Sequence, residues 1–283
     1  MAKQEPDTSK PEARGYNARV LLVTGASSGI GRDIALRFSE MGAKVALLAR
    51  RKPLLDELAH EIESRGGSAL VLPADVTKRA EVRDAVERAL KDFGRIDVLV
   101  NSAGIMTPDP VEAMKPRDLE RMMAVNLFGT LHAMQAVLPS MRSTGWGNIV
   151  NIGSLAGRRG MTPLGGYAAS KFALVGLTEA LRVELFRSGV KASLVMPGVV
   201  DTQLGRAKSR HVPPSPGLAQ AMTAMPVRWV TWAVIAAVML GLAEVDVPPG
   251  AAVAEKLASL FPGLTDAVIA LGAQFVEWLG KRG

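Results

Sequence analysis

The stretch Arg19–Phe38, RVLLVTGASSGIGRDIALRF, decides the fold. Arg19–Thr24 is a short apolar run rich in Val and Leu, the pattern of a strand buried on both faces. Gly25, Gly29 and Gly31 mark a turn, and Arg32–Met41 then reads as a helix. The same alternation continues along the chain. Further strands are predicted at Lys44–Ala49, Ser68–Leu72, Asp97–Asn101, Gly147–Ile152 and Lys191–Met196. The intervening helices fall at Pro53–Arg65, Lys78–Phe93, Arg117–Met141 and Tyr167–Phe186.

Strands spaced by helices predict an α/β fold with a mainly parallel sheet covered on both faces. Right-handed crossovers make this a single doubly wound domain of Rossmann type. Its expected span is residues 19–250, after a disordered leader over 1–18 and before a helical C-terminal extension over 251–283. The residues of chemical interest stand just after successive strands: Gly25, Arg50, Asp75, Asn101, Ser154 and Pro197. In an open α/β sheet, ligands bind outside the carboxyl ends of the strands. The topology therefore gathers all six on one rim.

Composition narrows the chemistry. The 283 residues contain no cysteine, which excludes disulfides, zinc–thiolate sites, iron–sulfur clusters and thiol catalysis. His60, His132 and His211 show no ligand spacing, so no metal site is expected. The formal charge is +7, yet no arginine-rich run with interleaved aromatics marks a nucleic-acid surface. Met1–Ala18 lacks the apolar stretch of a signal peptide. The longest apolar run, Trp229–Ala243, is shorter than the ~20 residues of a membrane span. It is read as a buried helix in a cytoplasmic protein.

The first turn is Thr24-Gly25-Ala26-Ser27-Ser28-Gly29-Ile30-Gly31. Its glycines let backbone N–H groups approach a pyrophosphate, and the following helix directs its positive N-terminal end at that anion. An ordinary strand–helix turn is the plainer alternative. The second strand ends Ala49-Arg50-Arg51, with no acid to bind a ribose 2′-hydroxyl. Arginine there accommodates a 2′-phosphate, which favours NADP(H), with NAD(H) as the alternative. Arg50 and Arg51 as plain solvated residues remain the competing account. Asp75-Val76 is suited either to contact adenine or to cap the next helix.

Tyr167-Ala168-Ala169-Ser170-Lys171 places a phenol and an ammonium four residues apart, on one helix face. A nearby cation lowers a phenol pKa, so Tyr167 is a candidate proton donor or acceptor. From Arg19 to about Thr202 the chain resembles the classical short-chain dehydrogenase/reductase family. The resemblance rests on Thr24-Gly25-x-x-x-Gly29-x-Gly31, Asp75, Asn101-Ser102-Ala103-Gly104, Asn126, Ser154, Tyr167, Lys171 and Pro197-Gly198. Ser102 departs from the asparagine often found there.

The resemblance implies roles. Tyr167 is the acid or base at the substrate oxygen, Ser154 hydrogen-bonds that oxygen, and Lys171 lowers the tyrosine pKa and holds the nicotinamide ribose. Asn126 holds a water behind Lys171; satisfying backbone at a helix kink is its plainer role, as capping a turn is for Ser154. Residues Asn101, Ala103 and Gly104 line the cofactor, while Pro197, Gly198, Val199 and Thr202 contact its nicotinamide end. The loop from Val199 to Pro226, with Pro213, Pro214 and Pro216, stands where the family carries a mobile substrate lid. Met161, Met196, Met222 and Met225 are candidate pocket residues.

The expected activity is hydride transfer from NADPH to an apolar ketone or aldehyde. NAD-linked alcohol or hydroxysteroid oxidation and a non-catalytic nucleotide sensor on the same fold are the alternatives. The family implies a homodimer or homotetramer. In Thr265–Leu279, positions Val268, Leu271, Gly272, Phe275 and Leu279 recur at helical spacing, with Trp278 nearby. Such a helix packs on the core or on a second copy, or else contacts a membrane surface.

Overall fold

The structure is a computed structural model that describes residues 19–206, 224–251, 258 and 260–280. Residues 1–18, most of the loop after Thr202 and Met222 lie outside the described residues. So do the side chains of Phe275, Trp278 and Leu279.

The sheet has seven strands in the order β3-β2-β1-β4-β5-β6-β7. They are β1 Val20–Thr24, β2 Lys44–Ala49, β3 Ser68–Pro73, β4 Val98–Asn101, β5 Gly147–Ile152, β6 Val190–Pro197 and β7 Glu244–Val247. Every neighbouring pair is parallel. The order reverses between β1 and β4, which opens a crevice at their carboxyl ends.

Among the described residues the main helices are α1 Gly29–Glu40, α2 Lys52–Ser64, α3 Arg79–Phe93, α4 Pro116–Met123, α5 Gly129–Thr144, α6 Gly165–Glu184, α7 Val227–Leu240 and α8 Pro262–Gly280. Alternation within the strands divides the core into two layers. Leu21 and Val23 pack with Ile34, Phe38, Leu55, Leu58 and Val234, from α1, α2 and α7. Val20 and Leu22 pack with Val82, Val86, Val137, Met141 and Leu181, from α3, α5 and α6. The expected doubly wound arrangement, with helices on both faces, is therefore present.

Three details differ from the sequence expectation. Helix α1 begins at Gly29 rather than Arg32. The single helix expected over Arg117–Met141 contains a π-helical turn at Ala124–Phe128, between α4 and α5. The seventh strand, β7, pairs with β6 from Leu194↔Glu244 to Pro197↔Val247 and was not anticipated. Its four residues include Glu244 and Asp246, too polar and too brief for a buried-strand pattern.

Helix α7 is also not buried all round. Val230, Val234 and Val238 face the core, whereas Trp229, Trp232 and Met239 are exposed. Its uniform apolarity conceals this two-sidedness. Among the described residues, no helix is long and apolar enough to cross a membrane.

Candidate active site

The crevice between β1 and β4 is lined by Gly25, Ser27, Ser28, Gly29 and Ile30 from the first turn. Arg50 and Arg51 follow β2, Asp75 and Val76 follow β3, and Ala103 and Gly104 follow β4 in the same lining. Thr202 belongs to the same lining. The fit to a dinucleotide is set by missing side chains. A Cβ on Gly25, whose φ is +70°, would lie 2.8 Å from Ala103 backbone. A Cβ on Gly31 would lie 2.5 Å from the Gly25 carbonyl oxygen, so Gly31 packs the helix onto the turn and does not line the crevice. This close approach leaves a backbone cradle at the N-terminus of α1, suited to a pyrophosphate.

The two arginines differ. Arg51 donates from Nη2 to Ser27 Oγ at 2.9 Å and to Ser28 Oγ at 2.7 Å. Its guanidinium is thus held in the glycine-rich turn. Arg50 stands 4.0 Å from the Asp75 carboxylate. Asp75 Oδ1 accepts from the Thr77 N–H at 3.0 Å and the Thr77 hydroxyl at 2.9 Å. Burial acts to raise the Asp75 pKa, but these bonds and the Arg50 charge outweigh it and hold the carboxyl below its ordinary value.

Asn101 is buried away from the crevice and donates to Asn151 Oδ1 at 2.9 Å. Asn151 donates onward to Thr178 Oγ1 at 2.9 Å. The pair ties β4, β5 and α6 together beneath the rim.

Ser154 begins the short turn Leu155–Gly157 after β5, where its Oγ accepts from the Ala156 N–H at 3.1 Å. The Tyr167 phenol, on α6, is close enough to the Ser154 side chain for that group to act on its pKa. Lys171, one turn further on, donates from Nζ to the Ile152 carbonyl at 2.7 Å. Its ammonium lies 5.7 Å from the Tyr167 ring centroid. All three side chains are buried.

Burial pushes the Tyr167 phenol up to about 12, although the Ser154 side chain beside it acts in the opposite sense. Burial also pulls the Lys171 ammonium down to about 8. Helical spacing alone predicts that Lys171 lowers the tyrosine pKa. In the structure, desolvation dominates because both groups are sealed from water and the lysine is committed to a backbone carbonyl. Tyr167 therefore carries its proton at neutral pH.

Asn126 sits in the π turn and is fully buried. Its Oδ1 accepts from the Ile105 N–H at 2.8 Å. Its Nδ2 donates to the Ile105 carbonyl at 3.0 Å and to Ser170 Oγ at 2.9 Å. The side chain thus clamps the loop after β4 to the helix bearing Tyr167. Pro197 ends β6, and a Cβ on Gly198 would lie 3.4 Å from both Leu155 and Met225. Val199 accepts from the Met225 N–H at 2.9 Å through its carbonyl. These residues and Ser154 meet at one end of the rim.

Sequence reasoning missed several neighbours. Ile105, Val125, Gln203 and Leu204 also line the crevice. Met106 and Met114 join Met161 in an apolar cluster around Tyr167, with Met122 beneath. No periodicity marks Met106 or Met114, because both lie in or beside an irregular loop. Met196 instead packs with Val175 and Leu194, and Met225 joins the core beside Val200. The two arginines after Ser154 anchor its turn: Arg158 to Glu244 of β7 and Arg159 to Asp266 of α8.

Residues 19–213 match the profile of the short chain dehydrogenase family. An uncharacterised oxidoreductase of Staphylococcus saprophyticus is 40% identical over 187 residues, covering 66% of this chain and 80% of that one. A short-chain dehydrogenase/reductase from Burkholderia phymatum, solved in complex with NAD, superposes with a TM-score of 0.79 at 25% identity. That match covers 88% of this chain and 95% of the other. A metagenomic short-chain oxidoreductase solved with NADP gives a TM-score of 0.69 at 31% identity, covering 81% and 96%.

Proposed function

The chain belongs to the short-chain dehydrogenase family, and from that premise we propose that it is an NADPH-dependent reductase of apolar ketones or aldehydes. The observation that carries this reading is the buried group of Ser154 and a protonated Tyr167, one helical turn from Lys171. A nicotinamide cofactor, when bound, supplies hydride in reduction and accepts it in oxidation. Tyr167 gives its phenolic proton to the carbonyl oxygen, so that the product is an alcohol. Ser154 donates to the same oxygen and stabilises its developing charge. Lys171 holds the nicotinamide ribose and, as an ammonium, steadies the phenolate left behind. Asn126 positions the loop after β4 against the helix that bears Tyr167.

The preference for NADPH rests on Arg51. Its guanidinium, with the hydroxyls of Ser27 and Ser28, forms a cationic corner suited to a 2′-phosphate. No acid stands at the end of β2 to favour NAD. The methionines around Tyr167 favour an apolar substrate whose shape they can follow.

The test is NADPH consumption with a panel of steroid, acyl-chain and aromatic carbonyl compounds. Tyr167→Phe is expected to lose about 10²–10⁴-fold in rate. Faster turnover with NADH than with NADPH at equal concentration would support the NAD-linked dehydrogenase instead. NADPH binding without turnover of any carbonyl would support a nucleotide sensor.

Two associations extend the reading. Exposed Phe128 and Phe172 offer apolar surface for a homodimer or homotetramer, which light scattering tests directly. Exposed Leu264, Val268 and Leu271 follow one another at helical spacing on α8. With Leu260 and Phe261 just before them, they suit peripheral contact with a lipid surface.

A further inference from the structure

The loop from β4 to α4 holds a carboxylate that the proposed chemistry leaves unused. Asp109 is 2% exposed, and its Oδ1 is enclosed without a hydrogen-bond partner. Other acids at comparable depth are engaged. Asp97 accepts from the Val20 N–H at 2.8 Å and from Arg95 Nε at 2.8 Å. The two arginines near the catalytic turn are taken by Glu244 and Asp266. A carboxylate withdrawn from water without a donor is costly, by several kcal/mol in general.

The position of Asp109 gives that cost a purpose. The same loop supplies Ile105 and Met106 to the cluster around Tyr167, and Met114 joins it beyond the loop's single turn of helix. A Cβ on Gly165 would lie 2.8 Å from Val111 Cγ2, so the loop crosses the first turn of α6, two residues before Tyr167. Asp109 is flanked by Pro108 and Pro110, which restrict the backbone on either side. The loop that carries this carboxylate thus borders the cluster around Tyr167.

We propose that Asp109 is a specificity-determining residue that accepts a hydrogen bond from a hydroxyl or ammonium group on the substrate. This deepens the reductase reading and rests on it. The substrate class is then a carbonyl compound with an apolar body and a hydrogen-bond donor remote from the carbonyl. The carbonyl meets Tyr167, the body lies against Met106, Met114 and Met161, and the donor meets Asp109. A site built around a buried acceptor rejects the analogue that lacks the donor, because the acceptor is then left unpaired.

The experiment compares kcat/KM for ω-hydroxy, ω-amino and ω-methyl members of one aryl alkyl ketone series over a range of chain lengths. The native protein is expected to prefer a hydroxy or amino member by about tenfold or more, the worth of one hydrogen bond to a charged group. Asp109→Leu should abolish that preference while turning over the ω-methyl ketone at least as well as the native protein. Asp109→Asn, which keeps an acceptor oxygen, should retain part of the preference. Without substrate, both variants should melt no lower than the native protein, since a buried carboxyl oxygen without a partner has been removed.

Equal turnover of all members by the native protein overturns the Asp109 assignment alone. So does an equal loss on every member in Asp109→Leu, or a marked fall in Tm, which would make the residue structural. Turnover of no member, in a protein that also reduces no other carbonyl compound, overturns the reductase reading and this assignment with it.

Discussion

Lys171 donates its hydrogen bond to the Ile152 carbonyl, 2.7 Å away, across the gap between α6 and the end of β5. The ammonium is thus anchored to the sheet rather than to Tyr167, whose ring centroid is 5.7 Å distant. One buried cation consequently fixes the helix that carries Tyr167 against the strand that leads to Ser154.

This burial has a pH signature. The Lys171 pKa is depressed from 10.5 to about 8 in the folded chain. Between those values the unfolded chain binds a proton that the folded chain does not, so stability rises with pH. The contribution is fully present above 10.5 and is lost as pH falls through about 8. Tyr167 acts in the opposite sense, but only above its unfolded value of 10. Denaturant unfolding between pH 8 and 10 should show the native protein gaining on Lys171→Met by up to about 1.4 kcal/mol per pH unit. A difference independent of pH would show that Lys171 is not desolvated.

Arg51 and Arg50 should separate in cofactor titrations. Arg51→Ala removes the guanidinium held by Ser27 and Ser28 and should raise the KM for NADPH by about tenfold or more. The KM for NADH should change little. Arg50→Ala should have the smaller effect, because Arg50 faces Asp75 at 4.0 Å. Equal losses with both cofactors would move the 2′-phosphate contact elsewhere.

Gly25 admits no side chain. Its φ of +70° and the 2.8 Å approach to Ala103 both oppose a Cβ. Gly25→Ala should cost about 1–3 kcal/mol of stability through backbone strain. It should also weaken nucleotide binding more than Gly94→Ala does, although Gly94 shares a positive φ, because a Cβ at Gly94 meets nothing within 4 Å. Thermal melts with and without NADPH read both effects.

The exposed stripe on α8 predicts a surface interaction. Leu264, Val268 and Leu271 are each more than 60% exposed. The full chain should pellet with anionic liposomes, and the triple substitution of these residues by Asp should release it while NADPH turnover persists. Equal pelleting of both proteins would leave the stripe without a lipid role; a loss of dimer mass instead would assign it to a second copy.

The sequence by itself determined the alternation of strands and helices, the rim of residues after the strands, and the order of Ser154, Tyr167 and Lys171. Those features are local: apolar runs, glycine turns and helical spacing are written in neighbouring residues. Only the tertiary structure decided that β7 extends the sheet, because its polar residues become a strand through pairing with β6. It also decided that Arg51 rather than Arg50 enters the glycine turn, and that Asn126 stands in a π turn with its amide spent on Ile105 and Ser170. The protonated state of Tyr167 belongs to the same class. Spacing can place a lysine beside a phenol, but the balance between charge and desolvation depends on how completely distant segments exclude water from both.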